Sequence, residues 1–472
     1  MSERTDTRRD TVGGGESFDL AVIGAGSAGF AAAIRASELG ARVALVGAGT
    51  IGGTCVNVGC VPSKTLIAAA QALDRTAAAP DRRAAWRAAM ARKDALVEDL
   101  RRAKYIDVLP AYDSIAYVEG AARLSASGVA VNGHALRAGK IVIATGTSPS
   151  IPPISGIGDV PYLTSTTAME LEELPESLLL IGMGCVGSEL GQMFARAGVE
   201  VTMVCRSRML PGEEPEISEA LTRYFVDEGI AVRCGVNYRG IRRAGNDRVA
   251  LELETGAGDE TIEAAKVLVA AGRRPNTQGL GLVDAGIELA PGGGIEVDEW
   301  MRTARPGVYA AGDVTGRDAF VYMAAYGAKI AAENALNGDT RRYDAAAMPS
   351  VMFTDPQAAR VGLTEAAARE RGHRVRTVTL PLSAVPRALA AGDTRGLIKL
   401  VAEESSNLLL GAHMLAPGAG DSIQTAALAI AQGLTAAQLA DTIFPYLTTV
   451  EGLKLAALAF EKDVNLLSCC AG

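Results

Sequence analysis

The sequence predicts an α/β fold with two Rossmann-like dinucleotide-binding domains, followed by an α+β C-terminal domain. Two observations lead to this prediction. One strand–glycine turn–helix–strand unit occurs twice in the 472 residues, and the second copy begins 158 residues after the first (182 − 24). The last ~125 residues alternate strand-like and Ala-rich helical segments without any phosphate-binding glycine turn, so they indicate a separate interface domain.

The composition indicates a globular protein and excludes some partners. Hydrophobic residues make up 49% and charged residues 21% of the chain, and the length predicts about three domains. A net charge of −8 argues against nucleic acid or an anionic membrane as the main partner, because either would attract a basic surface. We expect a cytoplasmic protein, since no apolar run reaches the ~18 residues of a membrane span. Residues 1–16 are charged and glycine-rich, which predicts a loose arm and not a signal peptide.

The first nucleotide unit spans residues 18–46, "FDLAVIGAGSAGFAAAIRASELGARVALV". Its apolar strand leads into Gly24, Gly26 and Gly29, and we expect the helix to end near Gly40. In such a unit the first glycine makes the turn, the second lets the backbone approach a pyrophosphate, and the third packs helix on strand. The helix N-terminus then faces the anion.

The second unit, residues 177–205, repeats the pattern with Gly182, Gly184 and Gly187. Its last strand runs into "CRSR", which contains Arg206 and Arg208. An NAD-specific unit favours a carboxylate after this strand, whereas guanidinium groups suit a 2′-phosphate. The sequence therefore predicts NADPH as the second nucleotide; the alternative is a solvated surface pair of arginines.

Close behind the first unit, "IGGTCVNVGCVPSK" contains Cys55 and Cys60. In a cytosolic chain such a pair is more often catalytic or metal-binding than structural. Positions five apart lie ~140° apart around a regular helix and cannot pair. We therefore expect an irregular backbone here, which Gly59 and Pro62 permit; two buried free cysteines are the alternative.

Together these motifs resemble the flavoprotein pyridine nucleotide–disulfide oxidoreductases from about residue 17 onward. The resemblance rests on the cysteine motif, both glycine units, "ATG" (144–146) and "AAGD" (310–313). It implies a glutathione-reductase-like fold with FAD on the first unit and NAD(P)H on the second, and the arginines above favour NADPH. The implied organisation is an arm at 1–16, an FAD-binding domain at 17–150 and 273–342, an NADPH-binding domain at 151–272, and a dimerisation domain at 343–472.

The resemblance also assigns roles at the flavin. Cys60 is the thiolate against the flavin, Cys55 the interchange thiol, Lys64 the lysine near flavin N5, and Glu189 its carboxylate partner beside the nicotinamide. Further cofactor positions are carried over for FAD at Gly53, Thr54, Thr145, Gly146 and Asp313, the last near the ribitol, and for NADPH at Gly272.

One departure from the family concerns FAD. The family usually has Glu at the end of the second strand, where it holds the adenosine ribose. Here that position is Gly47. Either backbone or water replaces the carboxylate, or FAD is held less tightly.

A second departure separates members of the family. Its disulfide reductases use a C-terminal His, oriented by a Glu five residues on, as general acid–base for the thiols. In "FPYLTTVEGLKLA" the Glu is present as Glu451, but the His position is Tyr446. A phenol with a pKa near ~10 is a poor base at neutral pH. The sequence therefore does not predict an enzyme that protonates a leaving thiol.

Three segments resemble the mercury-reducing members of the family: the one just described, residues 385–396 ("VPRAL…DTRG"), and the terminal "LSCCAG" with Cys469 and Cys470. Soft thiolates select soft metal ions. We therefore expect the tail to receive Hg(II), as a thiol complex, and to pass it to the first cysteine pair. The implied reaction is NADPH-dependent reduction of Hg(II) to Hg(0).

Similarity to these members also implies an obligate homodimer, in which the tail and Tyr446 serve the partner subunit's site. Tyr105 resembles a second tyrosine at the metal site, with core packing as its alternative role. Because the first cysteine is Cys55, we expect no N-terminal cysteine-containing metal module.

Two other functions remain open at this point. One is a large-type thioredoxin reductase, whose members also carry a redox pair on a C-terminal tail, or another disulfide reductase; the missing His argues against it. A redox-silent thiol protein that only binds soft metal is a different class. The two nucleotide units argue against that reading.

Overall fold

The computed structural model describes residues 8–9, 17–75 and 82–463. Arm residues 1–7 and 10–16 and the tail cysteines Cys469 and Cys470 lie outside the described residues. Within the described ranges, none of the helices combines the length and the apolar character needed to cross a bilayer.

The elements of the first stretch form the first nucleotide unit, the cysteine region and a hairpin. They are β1 (Arg8–Arg9), β2 (Ser17–Ile23), α1 (Ser27–Glu38), β3 (Val43–Gly47), α2 (Gly53–Val58), α3 (Cys60–Arg75), α4 (Arg82–Arg101), β4 (Ile115–Glu119), β5 (Ala122–Ser125), β6 (Gly128–Val131), β7 (His134–Ile143) and β8 (Thr147–Pro149).

The elements of the middle stretch form the second nucleotide unit and return the chain to the first sheet. They are β9 (Tyr162–Thr164), α5 (Ser165–Ala168), β10 (Ser177–Ile181), α6 (Cys185–Arg196), β11 (Glu200–Val204), α7 (Pro215–Asp227), β12 (Ala231–Arg233), β13 (Asn237–Ala244), β14 (Arg248–Thr255), β15 (Gly258–Ala264), β16 (Lys266–Val269), β17 (Arg273–Pro275), β18 (Val308–Ala310) and α8 (Val321–Asn337).

The elements of the last stretch form the C-terminal α+β unit. They are β19 (Ser350–Met352), β20 (Gln357–Gly362), α9 (Glu365–Glu370), β21 (Val375–Pro381), α10 (Pro386–Ala391), β22 (Leu397–Glu403), β23 (Leu409–Ala416), α11 (Ala419–Ala431), α12 (Ala436–Asp441) and α13 (Glu451–Leu458).

The two nucleotide units are built on parallel sheets, as βαβ crossovers require. In the first sheet β1, β4, β3, β2 and β7 run parallel in that order, β18 pairs with β7 in the same sense, and the β5–β6 hairpin extends the edge. The second sheet has the order β12-β11-β10-β16-β9 and is parallel throughout. An antiparallel layer, β13-β14-β15, packs beside it.

The two units make the same backbone hydrogen bond at their first glycine. Gly24 N donates to Val46 O at 2.8 Å, and Gly182 N donates to Val204 O at 2.9 Å. Each glycine therefore begins its turn at the end of a central strand, with the preceding residue paired to strands on both sides. The duplication predicted from the sequence is a structural duplication.

The C-terminal unit is an antiparallel sheet, β19-β20-β23-β22-β21, with α11, α12 and α13 packed against it. Buried charges join it to the second nucleotide unit. Arg196 bonds Glu228 at 2.6 Å and Asp355 at 2.8 Å. Lys399, which is 3% exposed as a side chain, lies 3.0 Å from Glu214. These contacts fix the C-terminal unit against the second unit; the domain boundaries given above stay a prediction.

Candidate active site at the cysteine pair

One cavity of about 840 Å³ lies between the two nucleotide units. This volume falls within the range of small-molecule and cofactor sites. Its walls bring together most of the positions carried over for FAD, together with the cysteine pair and the carboxylate of the second unit. They are Gly24, Gly26, Gly53, Thr54, Cys55, Cys60, Lys64, Thr145, Gly146, Glu189 and Asp313.

The glycines of each unit meet the physical demands of a nucleotide turn. A Cβ on Gly24 would lie 2.2 Å from Ala144 O, and one on Gly182 would lie 2.5 Å from Ala270 O. Both residues have positive φ, at 119° and 108°, a region that glycine adopts without steric cost. At Gly184 a Cβ would meet nothing within 4 Å, so this turn faces open space, as a pyrophosphate site requires.

The third glycines bring the helix close to the strand. A Cβ on Gly29 would lie 1.7 Å from Gly24 O, and one on Gly187 would lie 2.0 Å from Gly182 O. Any side chain would therefore push α1 or α6 away from its sheet. Neither α1 nor α6 therefore has room for a side chain at its third glycine.

The cysteine pair lies across a break between two helices. α2 ends at Val58, and the next residue, Gly59, has a φ of −130° and a ψ of −115°, outside the helical region; α3 begins at Cys60. A Cβ on Gly59 would lie 2.8 Å from Thr54 O. The expected irregular backbone is present, and it lets the thiol of Cys55 hydrogen-bond that of Cys60.

The two thiols are chemically unequal. The hydrogen bond from Cys55, and then the Lys64 ammonium, lower the pKa of Cys60 to about 6 although burial opposes this. The same hydrogen bond, together with burial, raises the pKa of Cys55. At neutral pH the pair therefore holds one thiolate, on Cys60, and one proton, on Cys55. A thiolate is the nucleophilic and metal-binding form of cysteine.

An ion pair links the cysteine helix to the second nucleotide unit. Lys64 Nζ on α3 lies 2.6 Å from Glu189 Oε2 on α6. Burial works against the ammonium, but the Glu189 charge and hydrogen bond raise the pKa of Lys64 above its usual value. The other Glu189 oxygen accepts the Phe353 N–H at 2.8 Å and lies 3.8 Å from Cys185 Sγ. Both oxygens of this buried carboxylate are therefore occupied.

Sequence reasoning missed three residues that line this cavity. Lys64 Nζ stands 4.9 Å from the centre of the Phe353 ring, a cation–π contact. Cys185 is the first residue of α6, and burial raises its pKa, so it stays a thiol. Arg273 donates to Thr147 Oγ1 at 2.8 Å, and that hydroxyl donates to Asp313 at 2.9 Å. Arg273 stands in the motif "GRRPN" just after a strand and glycine, which was its only signal in the sequence.

The two tyrosines assigned to a metal site occupy different environments. The Tyr105 hydroxyl lies 3.1 Å from Ser27 Oγ, and its ring meets Phe30 edge-on at 4.9 Å. Burial raises its pKa, and the two site thiols add to that effect. Tyr105 therefore packs in the first unit near the cysteine pair without lining the cavity, and its role at a metal site stays a prediction.

Tyr446 lies in an exposed loop before α13 and is 49% exposed. The next residue, Leu447, donates its N–H to Glu451 at 3.0 Å, so this carboxylate orders the loop. Neither Tyr446 nor Glu451 lines the cavity of its own subunit within the described chain.

The arginines carried over for the 2′-phosphate follow β11. Arg206 is exposed, whereas Arg208 donates to Pro211 O at 3.0 Å and to Glu213 O at 2.7 Å. Arg208 Nη1 is buried without a hydrogen-bond partner. An unpaired buried guanidinium N–H fits a site that an anionic group completes. Gly272, also carried over, has a φ of 112° and open space around it.

The end of β3 explains how the chain can lack the family glutamate. A Cβ on Gly47 would lie 2.6 Å from the Tyr117 hydroxyl and 2.8 Å from the Ala25 methyl. Tyr117, on the neighbouring strand β4, thus fills the space through which a glutamate side chain would leave the strand. The Tyr117 hydroxyl thus lies directly behind Gly47, at the position where the family places a glutamate.

The residues present fit FAD and a pyridine nucleotide. The cavity size, the duplicated glycine turns, whose first and third glycines leave no room for a side chain, and the unpaired buried N–H of Arg208 all suit two dinucleotides. A cysteine pair in the same cavity defines a nucleotide-dependent flavoprotein oxidoreductase that works through thiols.

Comparison with known proteins gives the family. Residues 18–332 match the model of the pyridine nucleotide-disulphide oxidoreductases, and residues 348–457 match that family's dimerisation domain. The chain belongs to this family. The predicted glutathione-reductase-like α/β fold and the cofactors FAD and NADPH are confirmed.

The similar curated proteins are mercuric reductases. The one from Streptomyces lividans is 48% identical over 469 residues, which cover 96% of this chain and 98% of that protein. The one from Staphylococcus aureus is 45% identical over 463 residues, covering 96% of this chain and 84% of that protein. A solved relative, the HOCl-induced flavoprotein disulfide reductase RclA from Escherichia coli in its Cu(II) complex, is 30% identical with a TM-score of 0.82. It covers 95% of this chain and matches over its whole length.

Proposed function

We propose that the chain is an NADPH-dependent flavoenzyme that reduces Hg(II) to Hg(0) at Cys55 and Cys60. The observation that supports this most directly is a thiolate–thiol pair in the cavity without an imidazole beside it. None of the three histidines lies among the described residues that line the cavity. The curated relatives are named for the same reaction.

The chemistry needs two ligands and two electrons. Bound FAD supplies the electron pair, which NADPH replaces. Cys60 offers a thiolate at neutral pH, and Cys55 loses its proton to a departing thiolate when Hg(II) exchanges onto the pair. Two sulfur–mercury bonds form as two bonds to the carrier thiols break. Reduction of the bound ion then returns both sulfurs as thiolates, so no sulfur–sulfur bond is split.

The other residues of the site position this pair. The Lys64 ammonium stabilises the Cys60 thiolate, and Glu189 holds Lys64 in place. Tyr105 lies beside the pair with its hydroxyl on Ser27, from where a hydroxyl donor can meet a thiolate or a mercury ligand. Asp313, held by Thr147, lines the part of the cavity carried over for the FAD ribitol.

We place the delivery step on Cys469 and Cys470 of the partner subunit. The family's dimerisation domain matches residues 348–457. Within it, the loop at 443–447 exposes Ile443, which is 96% exposed, together with Tyr446 and Leu447. Apolar exposure of this kind favours an interface. A dimer in which this loop and the tail reach the other subunit's cavity would complete each site. Because the mechanism needs reduced thiols, we place the enzyme in the cytoplasm.

The decisive experiment measures NADPH oxidation by the purified chain with Hg(II) and a small thiol. We expect turnover with Hg(II) and little with glutathione disulfide, lipoamide or thioredoxin. With limiting thiol, the variant Cys469→Ala/Cys470→Ala should turn over more slowly than the unchanged chain. With excess thiol the two should agree, since the small thiol then delivers the ion. Brisk disulfide reduction without a response to Hg(II) would instead make the chain a disulfide reductase.

Hybrid dimers test whether the sites are shared. One subunit carries Cys60→Ala and an intact tail; the other has Cys60 and the tail variant. If the tail serves the partner's site, the hybrid contains one intact site and should keep about half of the unchanged activity under limiting thiol, as a two-fold dimer predicts. If each tail serves its own subunit, the one site that keeps Cys60 lacks its tail, and the hybrid should show about half of the activity of the tail variant.

A further inference from the structure

A second pair of cysteines lies outside the cavity, in the second nucleotide unit. Cys205 Sγ and Cys234 Sγ are 3.6 Å apart although 29 residues separate them in the chain. Cys205 is buried, whereas Cys234 is exposed. The pair is therefore open to solvent on one side and backed by the protein on the other.

The sheet itself creates this pair. Strands β11 and β12 run parallel, with Val204 opposite Arg233, and each cysteine is the next residue after its strand. Cys205 N donates to Arg233 O at 2.9 Å, which continues the ladder by one step. The carboxyl ends of parallel strands are where open α/β sheets bind their ligands. The thiols thus stand at the ligand-binding edge of the sheet.

Backbone amides converge on both sulfurs. The N–H groups of Ser207 and Gly235 point to the sulfur of Cys205, and that of Met209 points to the sulfur of Cys234. A further bond, from Gly235 N to Ser207 O at 2.8 Å, joins the two loops. Such a ring of N–H groups favours negative charge on sulfur.

The charge distribution repeats that of the first pair. Cys205 donates its thiol hydrogen to Cys234, and this bond lowers the pKa of Cys234 to about 7 against the effect of its burial. The same bond raises the pKa of Cys205. The pair is therefore a thiol beside a group that is about half thiolate at pH 7, and Cys234, the residue that carries this charge, is exposed.

The ligand set selects a particular kind of cation. Two sulfurs with no harder ligand suit a soft ion that needs only two thiolates. Across the described part of the chain, no group of three or more His, Cys, Asp or Glu side chains could hold a metal. An ion that demands four protein ligands, such as structural zinc, does not fit here.

We propose that Cys205 and Cys234 form a second binding site for a two-coordinate soft cation such as Hg(II). On binding, two bonds from mercury to small carrier thiols break and two bonds to Cys205 and Cys234 form. Cys205 gives up its proton, which one departing thiolate takes. No electron source lies at this site, so the ion is held there without being reduced.

The position gives this site a consequence for the enzyme. Residues 206–208, whose arginines are carried over for the 2′-phosphate of NADPH, follow Cys205 directly, and the hydrogen bond from Gly235 N to Ser207 O joins them to the Cys234 loop. A cation bound by the two thiolates fixes both loops, neutralises the negative charge of the Cys234 thiolate and adds bulk at this edge. We expect it to change the affinity for nucleotides that carry a 2′-phosphate, and hence to let excess mercury act on the enzyme away from its thiol substrate site.

The test measures binding without NADPH, so its result does not depend on reduction. The full chain with Cys55→Ala, Cys60→Ala, Cys469→Ala and Cys470→Ala is loaded with FAD, reduced with a phosphine, and mixed with HgCl₂ and excess glutathione. After gel filtration, metal analysis should find one mercury per protomer. X-ray absorption should show two sulfur neighbours. Adding Cys234→Ser, or separately Cys205→Ser, should abolish retention.

Matched controls make the result decisive. Adding Cys185→Ala should leave the retained mercury unchanged, because a lone thiol cannot compete with excess glutathione for a dithiol ion. Circular dichroism and thermal melting of each variant show whether it is folded. Loss of mercury in both serine variants, made separately, shows that the loss does not come from a local structural change in one of them. Retention that survives both serine substitutions, or no retention in the starting protein, would overturn the site.

A separate measurement tests the link to the nucleotide loop. A change in the affinity for 2′,5′-ADP after mercury loading, absent in the serine variants, would support this link; an unchanged affinity would overturn it.

Discussion

Lys64 Nζ lies 2.6 Å from Glu189 Oε2, and this contact joins the helix that begins at Cys60 to the helix of the second glycine turn. The Glu189 side chain is 4% exposed, so its charge depends on the ammonium and on the Phe353 N–H for stabilisation. The same ammonium faces the Cys60 thiolate. One cation thus couples the two nucleotide units to the reactive sulfur.

Replacing this cation should weaken the thiolate. Lys64→Met removes the ammonium that lowers the pKa of Cys60. It also leaves the nearby Glu189 charge, which raises that pKa, without a counter-charge. We expect the pH midpoint of Cys60 alkylation by iodoacetamide to move upward, with Lys64→Arg close to the unchanged chain. An unmoved midpoint in Lys64→Met would show that Lys64 does not act on the sulfur.

The hydrogen bond from Cys55 is the largest cause of the low pKa of Cys60, which is about 6. Alkylation of Cys60 should therefore rise from pH 5 to pH 7 with a midpoint near pH 6, and fall away in acid as the thiolate is protonated. Cys55→Ala removes the donor and should shift the midpoint upward. Cys185→Ala serves as the comparison, because Cys185 is not among the groups that set this pKa. A midpoint that stays near 6 in Cys55→Ala would contradict the assignment.

Features that depend only on neighbouring residues could be predicted from the sequence. The duplicated glycine turns and the helix break between Cys55 and Cys60 follow from spacing and backbone sterics, and all are present. The contact of Cys205 with Cys234 was not predicted, because it depends on which strands become neighbours and in what register. The same is true of Tyr117, which reaches Gly47 from the adjacent strand.

The ion cluster around Lys399 should stabilise the junction between the second nucleotide unit and the C-terminal unit. Its ammonium lies 3.0 Å from Glu214, 2.8 Å from Glu216 and 3.0 Å from Glu365, and Glu214 is 2% exposed as a side chain. Lys399→Met leaves a buried carboxylate without a cation, which typically costs about 3–5 kcal/mol. We expect the free energy of unfolding in urea to fall by that order.

A double variant checks the cause of this loss. Lys399→Met/Glu214→Gln removes the stranded charge together with its partner and should recover part of the stability. If the double variant is no more stable than Lys399→Met, the loss comes from packing and not from an unpaired charge.

The end of β3 offers a test of how this chain manages without the family glutamate. In Gly47→Glu the new Cβ would lie 2.6 Å from the Tyr117 hydroxyl and 2.8 Å from the Ala25 methyl, and overpacking of this kind typically costs about 1–3 kcal/mol. We expect the variant to retain less FAD through gel filtration, measured as the ratio of flavin to protein absorbance, although it gains the residue that the family normally uses.

Gly47→Glu/Tyr117→Phe removes the hydroxyl that blocks the new side chain and should regain part of the flavin. Gly47→Gln places the same Cβ against Tyr117 and Ala25 without adding a charge, so it separates the effect of charge from the effect of the clash. If Gly47→Glu alone binds FAD more tightly than the unchanged chain, the site has room for the carboxylate and Tyr117 does not take its place.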